Sequence, residues 1–122
     1  MADDLRAWLS KVEAMGELKH VDGADWNIEM GTISALHSRS EPCSALLFDN
    51  VKGYPSGYRV VTCCVTNLRR LALTLYLPEG RTGLEVVGAM REKLEEWEGR
   101  MHEFPYQVVQ SGPILENVRS GR

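Results

Sequence analysis

The side chains best suited to a functional site form two pairs of adjacent residues. Asp49 and Asn50 follow the apolar run Ala45 to Phe48, at the end of a predicted strand, where α/β proteins often place ligands. Arg69 and Arg70 begin a predicted helix, where the helix dipole disfavours cations, so a phosphate, a carboxylate or an interdomain salt bridge would explain them. We predict an interface or cleft at these four residues, although Asx residues before a turn also serve the turn itself.

The histidines and cysteines lack the spacing of a catalytic or metal site. His20, His37 and His102 are 17 or more residues apart, so no two share the i, i+4 spacing of a metal-binding helix. The cysteine count of three is odd, and the adjacent Cys63 and Cys64 would point to opposite faces of a strand. We therefore predict no catalytic residue, no metal ligand and no cofactor ligand in this chain.

The composition is that of an ordinary globular domain. The chain has 122 residues, of which 43 % are hydrophobic and 25 % charged, with a net charge of −3. This charge argues against a nucleic-acid partner, because binding a polyanion needs a concentrated basic face. The N-terminus is acidic, and no apolar run reaches the roughly 20 residues of a membrane span. These features, with the absence of a disulfide pattern, predict a cytoplasmic protein without a membrane segment.

Apolar periodicity predicts helices that alternate with strands. The predicted helices begin at Asp3 or Asp4, at Asp25, at Asn67 and at Thr82, and they end at Gly16, near Ser38, before Pro78 and near Glu98. The predicted strands are Glu17 to Val21, Ala45 to Phe48, Tyr58 to Val65 and Tyr106 to Val109. The fold class is therefore α/β, with a mixed sheet of about four strands flanked by amphipathic helices.

Two further expectations concern the helix faces and the end of the chain. Trp8, Trp26 and Trp97 lie on apolar helix faces, which predicts that they are buried. Residues 1–110 are predicted to form one α/β domain. Residues 111–122 keep apolar side chains in a polar tail, so we expect this tail to lead into a missing domain or to dock on a partner.

Several short motifs follow one another in a fixed order. The first helix and strand carry D-L-R-x-W-L (Asp4 to Leu9) and G-E-L (Gly16 to Leu18). The sequence S-A-L-L-F-D-N-V-K-G-Y spans Ser44 to Tyr54, and R-R-L-A-L spans Arg69 to Leu73. In order and spacing these motifs resemble the N-terminal region of the UbiD family of prenylated-flavin-dependent decarboxylases. The family commonly has glycines before and at the end of the arginine-bearing helix, where this chain has Thr66 and Tyr76.

The resemblance implies a part of a carboxy-lyase without catalytic residues of its own. Family members are roughly four times longer, more than a single domain holds, and their flavin ligands, metal ligands and Glu-Arg-Glu network lie in the following domain. The chain would be a non-catalytic N-terminal domain or small subunit of an oligomeric (de)carboxylase acting on aromatic or α,β-unsaturated carboxylic acids. Prenylated FMN and a divalent metal would be bound by a larger catalytic subunit or by missing C-terminal domains. The alternative is a free-standing small ligand-binding or regulatory protein with the same fold.

Overall fold

A computed structural model describes residues 4–78 and 82–112. The helices are α1 (Leu5–Ala14), α2 (Glu29–His37), α3 (Leu68–Thr74) and α4 (Gly83–Arg100), which is followed by the short 3-10 helix Met101–Glu103. The strands are β1 (Leu18–Asp22), β2 (Ala45–Asp49) and β3 (Val60–Thr62). They form one sheet in the order β1-β2-β3, in which β1 and β2 are parallel and β2 and β3 antiparallel. The predicted α/β class and the mixed sheet are confirmed.

The chain divides into two compact units within α4. The first unit is Met1–Ala89, and it contains the sheet together with α1, α2 and α3. The second unit is Met90–Arg122, and its described part contains the rest of α4 and the 3-10 helix. No helix in the described part of either unit is long and apolar enough to cross a membrane.

The core of the first unit is built on β2. All four residues from Ala45 to Phe48 are buried, as expected for the central strand of a sheet with side chains packed on both faces. Leu46 and Phe48 point to the same face, and there they pack with Met30 of α2. Because β2 is held on both edges and both faces, the residues at its two ends have fixed positions.

The sheet has three strands rather than the predicted four. Tyr106 to Val109 form no regular structure and are exposed, since β-forming residues make a strand only beside a hydrogen-bonding neighbour. The third strand is shorter than the predicted Tyr58 to Val65. It ends at Thr62 because Cys63 has a φ of 56°, which interrupts the extended backbone.

The capping predictions for three helices are confirmed. The Asp4 carboxylate accepts a hydrogen bond from the backbone of Ala7 at 2.9 Å at the start of α1. Asn67 caps α3 in the same way. At the start of α4, Glu85 accepts from the backbone N–H of Thr82 at 2.7 Å, while the Thr82 hydroxyl accepts from the Glu85 N–H at 3.4 Å. This is the predicted capping box.

Two helices have ends that differ from the prediction. Helix α2 begins at Glu29 and not near Trp26, because Ile28 has a φ of 72° and cannot be helical. Helix α3 stops at Thr74, before Pro78 is reached, because Tyr76 has a φ of 54°.

The burial predicted for the tryptophans is only partly observed. Trp8 is half-buried, and its indole N–H donates to the Thr74 hydroxyl at 3.0 Å. Trp26 is 60 % exposed and Trp97 is 45 % exposed, so the prediction is wrong for both. Trp26 precedes the first turn of α2, and Trp97 lies beyond the end of the first unit. The apolar tail residues Ile114, Leu115 and Val118 lie outside the described part of the chain.

Candidate functional site

A buried arginine is the centre of a charged cluster in the first unit. Arg70, in the first turn of α3, has no exposed surface. Its guanidinium donates to the Glu17 carboxylate at 2.6 Å, to the Thr66 hydroxyl at 2.6 Å, and to the backbone carbonyls of Cys43 at 2.7 Å, Cys64 at 3.1 Å and Cys63 at 3.4 Å. A planar fork of five N–H donors suits such a set of acceptors. Arg70 thereby ties α3 to the segments that flank β2 and β3.

Glu17 is the anion that balances this arginine. Its side chain lies just before β1 and is 15 % exposed. Oε2 accepts from Arg70 and, at 2.8 Å, from the Asn67 amide, while Oε1 accepts from Arg69 Nη1 at 2.7 Å. Asn67 in turn accepts from the Arg70 backbone N–H at 2.9 Å. Two cations at the start of a helix are tolerated here because a carboxylate lies between them.

The surroundings of Glu17 favour its ionised form. Burial raises the pKa of this carboxyl. The hydrogen bonds from Asn67 and Arg70 and the charges of Arg70 and Arg69 lower the pKa by more than burial raises it. The net result is a pKa below its ordinary value, so Glu17 is a carboxylate at neutral pH. The ion pair with Arg70 is therefore fully formed under physiological conditions.

The cluster is closed to further ligands. No buried side-chain nitrogen or oxygen atom among residues 4–78 and 82–112 lacks a hydrogen-bond partner. Every strong acceptor around Arg70 comes from the protein itself, and the guanidinium has no exposed surface for an incoming anion. The chemistry of this arrangement is structural, because it fixes α3 against β1 and the loop before β2.

Asp49 and Asn50, the other predicted pair, serve the turns after β1 and β2. The Asp49 carboxylate accepts from the backbone N–H of Asn50 at 2.9 Å, and its carbonyl accepts from the Gly23 N–H at 3.0 Å. Asn50 has a φ of 46°, and its amide donates to the Asp22 carboxylate at 2.6 Å. These contacts join the turns after the two parallel strands, as Asx residues commonly do.

The structure does not bring the two predicted pairs together. Glu17 and the arginines lie at the beginning of the parallel strands, whereas Asp49 and Asn50 lie at their end. Five residues at a rise of about 3.3 Å separate the two sites by about 16 Å. Arg69, whose side chain is 54 % exposed, and the exposed Asn50 remain accessible to a partner. A role for these four residues in an interface or cleft stays a prediction.

The cysteines and histidines form no reactive centre in the described residues. Burial raises the pKa of the Cys63 and Cys64 thiols, so both remain protonated and weakly nucleophilic at neutral pH. His37 contacts the backbone of Ser44 at 3.0 Å. No group of three His, Cys, Asp or Glu side chains is arranged to hold a metal ion within residues 4–78 and 82–112.

Glu17 is the site residue that sequence reasoning missed. The sequence pattern placed Glu17 at the start of a predicted strand and indicated no partner for it. It indicated only that some carboxylate could explain two arginines at the start of a helix. Glu17 and Arg70 are 53 residues apart, so no local spacing connects them. The available signal was a charged residue immediately before a strand that pairs with the buried β2.

Solved structures with a similar fold come from the vanillic acid decarboxylase of Sedimentibacter hydroxybenzoicus. One open-form structure is 24 % identical, with a TM-score of 0.59, over 84 % of this chain and 20 % of that chain. A second open-form structure is 25 % identical, with a TM-score of 0.59, over 67 % and 17 %. The closed form is 24 % identical, with a TM-score of 0.55, over 96 % and 24 %. This chain thus spans a quarter or less of the length of those decarboxylase chains.

A family model matches the first unit. No curated protein sequence matches this chain. The model of the 3-octaprenyl-4-hydroxybenzoate carboxy-lyase N-terminal domain matches residues 9–90, which include the whole sheet, the Glu17 and Arg70 cluster and the start of α4. The match confirms the resemblance found in the sequence motifs. The chain therefore belongs to the UbiD family, and residues 9–90 correspond to the N-terminal domain of its members.

Proposed function

We propose that this chain is a non-catalytic N-terminal domain or small subunit of a UbiD-like (de)carboxylase. The observation that carries the proposal is the family match over residues 9–90. The closed cluster around Arg70 supports it, because the one fully buried cation in the described residues holds the fold together and faces no substrate cavity. The assembly would act on aromatic or α,β-unsaturated carboxylic acids in the cytoplasm.

The described residues do not suit the family's cofactor. Prenylated FMN carries a phosphate and works with a divalent metal in the family that this chain resembles. Arg70 has its guanidinium bound to protein acceptors, and residues 4–78 and 82–112 offer no cluster of metal ligands. We therefore assign the flavin and the metal to a larger catalytic subunit or to C-terminal domains, with this domain forming one wall of the cleft or holding the oligomer together.

The first experiment tests the chain by itself. The purified chain is expected to show no flavin absorbance and to release no carbon dioxide from vanillic acid or from cinnamic acid, an α,β-unsaturated acid. The same chain, isolated gently from its own source, is expected to appear in native mass spectrometry with a larger flavin-containing polypeptide or as part of one. A yellow, active preparation of the chain alone would overturn the non-catalytic assignment. A lone colourless species from the native source would overturn the partnership.

A further inference from the structure

A largely exposed apolar stripe runs along the described part of the second unit. It consists of Met90, Leu94, Trp97, Met101 and Phe104, which are separated by 4, 3, 4 and 3 residues. This is the spacing that places side chains along one side of a helix that packs on another surface. Leu94 is 55 % exposed, Met101 73 % and Phe104 71 %. The stripe therefore has the residue spacing of a helix face that packs in a core, but most of its side chains are exposed.

The apolar exposure continues after the 3-10 helix. Tyr106 is 89 % exposed, Val108 83 % and Val109 69 %. Single exposed apolar residues are normal on a protein surface, but a contiguous run of them marks a site of interaction. Together with the stripe, these residues give the second unit a run of exposed apolar side chains.

Charged side chains of both signs flank the stripe. Lys93 Nζ lies 5.7 Å from the centre of the Trp97 ring, and the guanidinium carbon of Arg100 lies 5.6 Å from the centre of the Phe104 ring. Arg100 also pairs with Glu96 and Glu103. A surface complementary to this one would be apolar at its centre.

The position of the stripe indicates which surface covers it. The family model of the N-terminal domain ends at residue 90, and the first compact unit ends at Ala89, so the stripe lies at and beyond the end of the N-terminal domain. In the closed vanillic acid decarboxylase, 96 % of this chain matches 24 % of a single chain. In that relative the counterpart of the stripe is therefore continuous with a much longer polypeptide.

We infer that the apolar stripe is the surface on which the larger, flavin-carrying part of the decarboxylase packs. The inference rests on the proposed function and names the interface that the proposed function requires. The residues of the stripe are thus core residues of an interface whose other side carries apolar residues. Burial of the stripe fixes the N-terminal domain on the assembly.

The test compares methionine oxidation in the isolated chain and in the flavin-containing assembly purified from the native source. Dilute hydrogen peroxide converts an exposed thioether to a sulfoxide and is itself reduced to water. Met101 is expected to oxidise about tenfold more slowly in the assembly, since its exposed thioether becomes buried. Met30, which is 8 % exposed in the core of the first unit, serves as the internal control and is expected to oxidise slowly in both samples.

Two substitutions extend the test to the strength of the interface. Leu94→Asp places a charge in the stripe and is expected to weaken the assembly about tenfold or more, since loss of a buried apolar anchor commonly costs over 1 kcal/mol. Leu36→Asp is the matched control, because Leu36 is 65 % exposed on α2, outside the stripe. This substitution is expected to leave the assembly intact. Circular dichroism of each isolated variant separates a lost interface from a lost fold.

The outcomes separate this inference from the proposed function. Equal oxidation of Met101 in both samples, with flavin present in the assembly, would overturn the stripe as the interface and leave the proposed function standing. Self-association of the isolated chain that Leu94→Asp abolishes would assign the stripe to a second copy and also overturn the inference. Failure to find any flavin-containing assembly would overturn both.

Discussion

The Glu17 and Arg70 cluster and the apolar stripe of α4 reverse the usual distribution of residues in a folded protein. Arg70 is fully buried although arginine is among the residues least often found inside. Trp97, an aromatic residue that elsewhere would be core, is 45 % exposed. The cluster therefore buries a charge, and the stripe exposes apolar side chains.

The difference shows that available partners decide burial as much as residue type. The cost of removing Arg70 from water is offset by a carboxylate, a hydroxyl and backbone carbonyls, all held in place by β1, β2 and α3. Trp97 makes a cation–π contact with Lys93 and stays 45 % exposed. The polar groups of the Glu17 and Arg70 cluster are satisfied by other residues of the described chain. The apolar stripe has the spacing of a packed helix face but remains exposed.

The largest expected effect comes from removing the buried cation. Arg70→Met keeps most of the side-chain volume but removes one donor to the Glu17 carboxylate and the donor to the Cys43 carbonyl. We expect the free energy of unfolding to fall by about 3–5 kcal/mol, the usual cost of breaking a buried pair from one side. Urea denaturation followed by circular dichroism measures the change.

The neighbouring arginine provides the matched control. Arg69→Ala removes a cation that is 54 % exposed and pairs with the same carboxylate, so we expect a loss of about 1 kcal/mol or less. Equal losses for the two variants would contradict the distinction between a buried and a surface ion pair.

The next effect is a dependence of stability on pH. The pKa of Glu17 is lowered in the folded state. Ionised Glu17 therefore stabilises the fold at every pH above 4.5, the ordinary pKa of a glutamate. That contribution is lost as the pH falls through the lowered pKa of the folded state. Glu17→Gln should cost about 2 kcal/mol at pH 7, as for hydrogen bonds to a charged group.

Urea denaturation at a series of pH values checks this prediction. The difference between the wild type and Glu17→Gln is expected to be constant from pH 7 to about pH 5 and to shrink below the ordinary value of 4.5, because the wild-type carboxyl then becomes neutral. A difference that stays constant down to pH 2 would show that the charge of Glu17 does not contribute.

A smaller effect is expected at the ends of two helices. Gly16 and Tyr76 occupy the same position in two equivalent C-terminal motifs, with φ values of 71° and 54°. In each motif the next residue bonds back to the helix, Glu17 to the Val12 carbonyl at 3.0 Å and Leu77 to the Ala72 carbonyl at 2.9 Å. Only glycine adopts this conformation without strain.

Exchanging the residue type at these positions should change stability in opposite directions. Tyr76→Gly is expected to stabilise the chain by about 1 kcal/mol or less, and Gly16→Ala to destabilise it by about 1 kcal/mol. No heavy atom lies within 4 Å of a Cβ added at Gly16, so the loss would come from the backbone alone. Thermal melts of both variants check the pair, and a destabilised Tyr76→Gly would indicate that the Tyr76 ring has a packing role.

Features set by neighbouring residues could be read from the sequence. Asn67 as a helix cap, Gly16 as a helix end and the capping box at Thr82 each depend on contacts within five positions along the chain. The hydrogen bond from the Asn50 N–H to the Asp49 carboxylate is local in the same sense. These interactions have definite sequence signals.

Features set by distant residues could not be read in this way. The acceptors of Arg70 come from positions 4 to 53 residues away, so the sequence indicated the need for a carboxylate without identifying Glu17. Tyr106 to Val109 have strand-forming residues, but no neighbouring strand lies beside them in the described chain. Periodicity likewise placed Trp97 on an apolar face, although it cannot specify what covers that face.

The smallest expected effect is at the stripe itself. Trp97→Ala in the isolated chain should change the free energy of unfolding by about 0.5 kcal/mol or less, because an exposed side chain buries little surface and alanine favours the helix. Phe48→Ala, which empties a fully buried position, should cost about 3–5 kcal/mol. Urea denaturation of both variants makes the comparison. If Trp97→Ala proved as costly as Phe48→Ala, the stripe would already be packed within this chain, and the interface inferred for it would have no exposed surface to use.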